Sequence, residues 1–508
     1  MTDNLSRRRV LSLLGAAAGI SPFASMADAP TDTHWDLIIV GGGNAGLPAA
    51  IFAAERGAQV LIIDAASNLG GTLWLSSGQM SAAGTQLQAS KGIEDTPQSH
   101  YDDIMRISKD TADPDIMGLA VFNAAETFDW LMDSGLEVHN EHPVTGTTHE
   151  PYSRARYVWG KDGGRSLLNV LEGQLKPHVE AGRVSLLMNT RVTDLIQTND
   201  GAVTGVVTEN AGGDSQHHSA RQTLLTCGGY SANADMCKTL EGVRDYTDIT
   251  YPFSQGAGIT LSLSAGGYVR GGEHHLPLFG AVLADDVYPA RMIATVRPWP
   301  PARPPWEIYV NVRGERFMRE DIASHDAHEH ALMEQPEERC WVVFDSAIFA
   351  RAPQLVRGSF AGPWTQDDVR FAFDDGMKMF FKADSIEELA NATQIDGDGL
   401  SATIADYNRG QNQGNDSFGR EHLPLPIAKP PYYAIQLQGW LLTSFAGVAV
   451  DKQLRIIKKD GTPIPNLYAA GELLGNGQLM GRSYCGGMQV MPALTFGRLL
   501  GKRLLNFT

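Results

Sequence analysis

The chain is poor in cysteine. Among 508 residues only Cys227, Cys237, Cys340 and Cys485 occur, and no two form a C-x-x-C pair. That argues against a cysteine-rich zinc site, a C-x-x-C-H haem attachment and an iron–sulfur cluster. Cys227 and Cys237 could pair in an oxidising compartment or serve as small core residues. Positive charge is short too. The 41 Lys and Arg stand against 58 Asp and Glu, a formal net charge of −17. Nucleic acid and anionic membrane surfaces are therefore poor partners. No apolar run is long enough for a permanent membrane span. There is no internal repeat, long linker or low-complexity tract, and the 54 glycines fall in clusters. The length and 43% hydrophobic content suit two or three domains with large cores.

The first 29 residues read as an address. Arg7-Arg8-Arg9 precedes an apolar stretch from Leu11 to Ile20 and a small-residue pattern, Ala27-Asp28-Ala29. This is the form of a secretory signal, and the paired arginines point to the twin-arginine route. The expectation is removal after about Ala29, leaving an exported, periplasmic enzyme. A basic tail followed by a buried helix is the structural alternative.

Next comes a strand–loop–helix–strand unit. Trp35 to Val40 is β-branched and apolar, Gly41-Gly42-Gly43-Asn44-Ala45-Gly46 follows, and an Ala-rich helix runs from Leu47 to Arg56. A second strand, Gln59 to Ile63, ends on Asp64. Gly41, Gly43 and Gly46 give G-x-G-x-x-G, with an acid at the second strand's tip. Glycines let the backbone approach a pyrophosphate, a helix N-terminus offers N–H groups and positive dipole, and the acid suits a ribose hydroxyl. Gly41, Gly43, Asn44, Ala45, Gly46 and Asp64 are thus candidate dinucleotide ligands. Further on, Arg191 to Leu195 and Val203 to Thr208, joined across Asn-Asp-Gly, read as a β-hairpin.

A second glycine–serine stretch runs from Gly70-Gly71-Thr72 to Ser76-Ser77-Gly78 and on to Thr85. With Thr226-Cys227-Gly228-Gly229-Tyr230-Ser231-Ala232-Asn233, Asn311 to Phe317 and Asn466 to Glu472, in that order, the chain resembles FAD-dependent flavoproteins. The family is the fumarate reductase/succinate dehydrogenase superfamily, and the site motif is most similar to 3-ketosteroid dehydrogenases. The resemblance implies an α/β fold: a discontinuous Rossmann-type FAD-binding domain (35–272 and 433–508) with an inserted α+β substrate-capping domain (273–432). Proline-rich stretches at Pro298–Pro305 and Pro424–Pro431 suit connections in such an arrangement. It also implies non-covalent FAD contacts from Gly71, Thr72, Ser76, Ser77, Gly78, Val192, Gly228, Gly229, Asn233, Gly471, Glu472, Gln489 and Val490. Where the family often carries G-D-G, this chain has Gly256-Ala257-Gly258.

Three positions bear on substrate. By this resemblance, the reductases' carboxylate-binding arginine falls on Tyr484, their proton-donating arginine on Ser324 and their substrate histidine on Thr443. Neither a phenol nor a serine replaces a bidentate guanidinium, so fumarate and succinate are not expected substrates. Ser483-Tyr484-Cys485-Gly486-Gly487 instead resembles the ketosteroid dehydrogenases' S-Y-A-G-A-G, one residue shorter. That match implies that Tyr484 and the Gly487 N–H grip a ketone oxygen. Donors preplaced there stabilise the enolate formed when the α-proton leaves. His325, Tyr152 and Tyr157 are candidate bases. Arg154 or Arg156 could hold a carboxylate elsewhere on the substrate. The His325-to-His330 run does not place its ligands on one helix face, so no metal is expected.

The expected activity is FAD-dependent α,β-dehydrogenation of a cyclic ketone or ketosteroid-like substrate, with a separate electron acceptor or donor. The rivals are an enone or enoate reductase of the fumarate-reductase branch and a flavin-binding electron-transfer protein.

Overall fold

The computed structural model describes residues 34–146, 149–244, 246–358 and 362–505. The signal segment, 1–29, lies outside the described residues. The chain divides into two units. The first takes the described residues up to Arg244, Thr250–His275 and those from Thr443 onward. The second is Leu276–Leu442 with a short segment ending at Ile249.

The first unit is built on a parallel sheet whose spatial order is Pro463–Ala469, Ser215–Leu225, His34–Val40, Val60–Ile63, Val184–Leu187. Arg455–Ile457 adds an antiparallel edge strand beside Pro463–Ala469. The central strand His34–Val40 pairs in parallel on both sides, Ile38 with Leu61 and with Thr223. Both faces of such a strand are covered, which is why its apolar run is continuous rather than alternating. Helix Gly46–Glu55 is buried along nearly its whole length. Gly497 and Gly501 of the long C-terminal helix Val490–Arg503 let it approach the alanines of this helix closely. The expected hairpin is present as Thr190–Gln197 against Val203–Asn210.

The second unit carries an antiparallel sheet ordered Met292–Thr295, Leu278–Leu283, Tyr432–Trp440, Arg339–Asp345, Ile308–Val310. The sequence places the return to the first unit at 433, whereas the structure places it at Thr443. The cause is the strand Tyr432–Trp440, which pairs with Leu278–Leu283 along one edge and Arg339–Asp345 along the other. The α/β architecture with an intervening α+β unit is otherwise as expected. No disulfide joins the four cysteines, all of which lie among the described residues. Among those residues no helix is long and apolar enough to cross a membrane.

Candidate functional site

In a parallel sheet, ligand loops gather at the carboxyl ends of the strands. Four segments distant in sequence meet at that end of the first unit. Val40 opens onto Gly41, Ile63 onto Asp64, Leu225 onto Thr226–Gly229, and Ala469 onto Gly471–Glu472. Hydrogen bonds tie them. Gly41 N donates to the Ile63 carbonyl at 2.8 Å, and the Thr226 hydroxyl donates to the Gly41 carbonyl at 2.7 Å. A Cβ on Gly46 would lie 2.0 Å from that same carbonyl, so the turn into the helix admits only glycine.

Asp64 is committed more fully than the sequence implied. Its Oδ2 accepts from Gly42 N at 2.7 Å and its Oδ1 from Ala66 N at 2.8 Å. Desolvation nevertheless wins over these bonds and raises its pKa. Each oxygen retains one lone pair for a ribose hydroxyl. Val192 follows Thr190, whose N–H donates to the Asp64 carbonyl at 3.0 Å, so that strand is registered on the same acid.

The second glycine segment docks on the first, with Gly70 N donating to the Gly42 carbonyl at 2.8 Å. A Cβ on Gly71 would sit 3.7 Å from Gly43 Cα, while one on Gly43 would meet nothing within 4 Å. Thr72 accepts backbone bonds from Leu75 and Ser76. The Ser76 hydroxyl accepts from Gly78 N at 3.0 Å, and the Ser76 carbonyl receives Gly164 N at the head of helix Gly164–Glu180. Asn44 Oδ1 is buried without a hydrogen-bond partner among the described residues. Open space over Gly43, an orphaned amide oxygen and a helix N-terminus without a side-chain cap fit a bound FAD pyrophosphate.

Glu472 closes the cradle. Its Oε1 accepts from Ser444 N at 3.1 Å and Ser444 Oγ at 3.3 Å, and Ser444 Oγ in turn accepts from Tyr230 N, beside Gly228 and Gly229, at 2.7 Å. Burial pushes its pKa up to about 7, against the lowering effect of the Ser444 bonds. In flavin-free protein the folded state therefore holds this proton more tightly than the unfolded chain. The contribution to stability is greatest at low pH and is lost as pH rises through about 7. Thermal melts of flavin-free wild type, set against Glu472→Gln, should show a relative loss of stability between about pH 5 and 8. Parallel curves would remove the assignment.

Asn233, expected at the cofactor, is spent elsewhere. Its Oδ1 caps helix Ala234–Leu240 by accepting from Met236 N at 3.1 Å, and its Nδ2 donates to the Gln255 carbonyl at 3.0 Å. Gln489 immediately precedes helix Val490–Arg503 and donates from Nε2 to Thr443 Oγ1 at 3.0 Å. Asn476 Nδ2 donates to that oxygen as well, at 2.5 Å.

The proposed oxygen grip lies in this same unit. Tyr484 is 4% exposed, stacked on His149 (ring centroids 5.2 Å, 25°) and edge-on to Phe445 (5.6 Å, 76°). Gly487 has φ of +79°, and a Cβ there would reach within 2.3 Å of the Met80 backbone. Two candidate bases are corrected. The Tyr152 phenol donates to the Gly486 carbonyl at 2.5 Å and lies 3.4 Å from Ser81 Oγ, which meets His100 Nε2 at 3.2 Å. Burial holds its pKa well above the ordinary phenol range, so it braces the Gly486 turn and is no base. Tyr157 is raised too, by burial, although its hydroxyl has no partner among the described residues. A desolvated neutral phenol donates a hydrogen bond but takes a proton poorly.

Arg156 is likewise not available to a ligand. It pairs with Asp95 and Asp103 at 2.8 Å each, fully buried. His325 belongs to the second unit, buried in the first turn of helix His325–Met333, which Ser324 Oγ caps through Ala327 N at 3.1 Å. His149 escaped sequence reasoning. It stands three residues before Tyr152, and only the packing of Tyr484 marks it.

Comparison with known proteins agrees with this geometry. The family model described as FAD binding domain matches residues 36–488. A fumarate reductase (cytochrome) of Shewanella frigidimarina is 26% identical over 96% of this chain and 79% of its own length. A digoxin reductase of Eggerthella lenta is 26% identical over 96% of this chain and 91% of its own. Among solved structures, the 3-ketosteroid delta1-dehydrogenase from Sterolibacterium denitrificans superposes with a TM-score of 0.72 at 18% identity. That match covers 93% of this chain and 99% of that one.

Proposed function

Since the chain belongs to the FAD binding domain family and is an FAD-dependent oxidoreductase, we propose that it acts on a CH–CH bond next to a carbonyl. The substrate class is a cyclic ketone or ketosteroid-like compound, and the direction is α,β-dehydrogenation. FAD, when bound, supplies the two-electron hydride exchange. The protein supplies the rest. Gly41, Gly43, Gly46 and Asn44 receive the pyrophosphate, Asp64 the ribose, and Glu472 a further hydroxyl of the cofactor. Tyr484 donates to the ketone oxygen and stabilises the charge that grows there as the α-proton leaves. His149, packed face to face on Tyr484, is the proton acceptor in this unit.

One observation carries the reading. The position where fumarate-reducing relatives are expected to hold an arginine is a phenol, buried against the rings of His149 and Phe445. A phenol donates to a neutral oxygen and, unlike a guanidinium, itself gives no counter-charge to a carboxylate. A second reading, reduction of an enone by the reverse reaction, is favoured by the reductase names of the curated relatives, digoxin reductase among them. In either direction a separate electron carrier completes the cycle, and the leader sequence implies that the enzyme works after export.

The test is anaerobic mixing of oxidised protein with cyclic ketones, steroids and dicarboxylates while flavin absorbance is followed. Bleaching by a saturated cyclic ketone is the expected result. Bleaching by succinate and by no ketone would overturn it.

A further inference from the structure

Three buried polar side chains of the first unit, His100, Ser81 and Tyr152, run in a line that ends on a backbone carbonyl. His100 Nε2 lies 3.2 Å from Ser81 Oγ, Ser81 Oγ lies 3.4 Å from the Tyr152 oxygen, and that phenol donates to the Gly486 carbonyl at 2.5 Å. They come from three segments: helix Pro97–Ser108, strand Met80–Ser81 and the chain leading into strand Tyr157–Val158. The direction of the line follows from counting donors. A carbonyl only accepts, so the single Tyr152 proton goes to Gly486. The phenol oxygen then accepts from Ser81, and Ser81 in turn accepts from His100 Nε2–H. Burial and the nearby Arg156 cation push the His100 pKa down to about 3, so the ring is neutral and carries one N–H. With that proton on Nε2, His100 Nδ1, buried without a partner among the described residues, is a bare lone pair and no N–H is stranded. All three dipoles point the same way, and each strengthens the next.

The group at the end of the line has a second side. Gly486 C=O and Gly487 N–H belong to one trans peptide, so they point in opposite directions. A hydrogen bond to the carbonyl draws electron density from the nitrogen through the amide resonance and makes Gly487 N–H a stronger donor. Gly487 is half-buried, and among the described residues its N–H has no acceptor. The peptide is also clamped. A Cβ on Gly486 would lie 3.1 Å from the Tyr157 ring, and one on Gly487 would lie 2.4 Å from Ser81 N. Ser81 thus supports this peptide twice, by its backbone and through the phenol.

We propose that His100, Ser81 and Tyr152 are positioning residues that aim and polarise the Gly487 N–H, the donor that joins Tyr484 on the ketone oxygen. This inference rests on the ketone reading of the site and adds how its backbone donor is held. As negative charge grows on that oxygen, the peptide and the three dipoles behind it are already oriented, so nothing has to reorganise. None of the three side chains gives up its proton.

The experiment pairs turnover with a ligand that carries the charge itself. Tyr152→Phe and Ser81→Ala holoenzymes should each lower kcat on a cyclic ketone about tenfold with KM little changed, a smaller loss than that of a direct oxyanion donor. Combined, the two changes should cost no more than Tyr152→Phe alone, because the Ser81 hydroxyl acts on Gly486 only through the phenol. p-Nitrophenol, titrated into oxidised holoenzyme, presents an oxyanion in place of the enolate, and its colour reports the ionised fraction. Tyr152→Phe should leave the bound phenol about tenfold less ionised at a given pH, whereas a purely structural defect would weaken neutral and ionised forms alike. Additive losses in the double variant, unchanged kcat in both single variants, or equal weakening of both phenol forms would each overturn the proposal. Ketone turnover that neither variant alters would sink the line of donors and leave the ketone reading standing. No bleaching by any ketone, with p-nitrophenolate still weakened selectively in both variants, would support the line and sink the ketone reading.

Discussion

A Tyr484→Phe enzyme is expected to keep its flavin spectrum and lose about 10²–10³ in kcat on a cyclic ketone, the usual cost of deleting one oxyanion donor. The substitution removes a single oxygen. The ring stays in place because its neighbours, His149 and Phe445, hold it by its faces and edge, so packing and cofactor cradle are preserved. The donor acts on charge that develops during proton removal, which puts the loss in kcat with little change in KM. Full activity in this variant would end the assignment of Tyr484. A rise in KM alone would make it a binding contact only.

An Arg156→Met substitution is expected to destabilise the first unit by about 3–5 kcal/mol. Arg156 makes a bidentate pair with Asp95, from Nε at 2.9 Å and Nη2 at 2.8 Å, and reaches Asp103 from Nη1 at 2.8 Å. Removing it strips Asp95 of its guanidinium partner out of water and leaves Asp103 with Arg106 alone, at 2.8 Å. Asp103 also accepts from Ser153 N and Oγ at 2.8 and 2.7 Å, so the loop that carries Tyr152 loosens with it. Urea unfolding followed by circular dichroism measures the effect. Adding Asp95→Asn and Asp103→Asn should recover much of the loss, since an uncharged buried cluster has no stranded charge. No shift in the urea midpoint would mean the cluster is already relieved by other partners.

The nucleotide cradle was legible where its determinants are local. Residues 35–64 announce strand, glycine turn, helix and acid in one window, and the hairpin around Asn199-Asp200-Gly201 does the same. What escaped depends on partners far off in the chain. Tyr152 looks like a free phenol until Gly486 is found beneath it. Arg156 looks like a substrate clamp until Asp95 and Asp103 surround it. Asn233 belongs to a recognisable motif, yet its side chain works as a helix cap. Arg316, in another matched motif, is bound to Glu320 and Asp416 at 2.6 Å and serves as scaffold. The end of the second unit was misplaced because strand Tyr432–Trp440 owes its position to pairing on both edges, which no local pattern reveals. His149 had no local signal at all.

The parallel sheet also fixes an order of events in the cell. Leu467 pairs with Thr223, and Glu472 follows on the next turn of chain. A nascent polypeptide can shape the Gly41 loop early, but that sheet position stays unfilled until Pro463–Ala469 has been made. Flavin loading therefore waits for strand Pro463–Ala469 and the Glu472 that follows it. Chains truncated before Pro463 should be unable to retain the coenzyme, however well their amino-terminal half has folded.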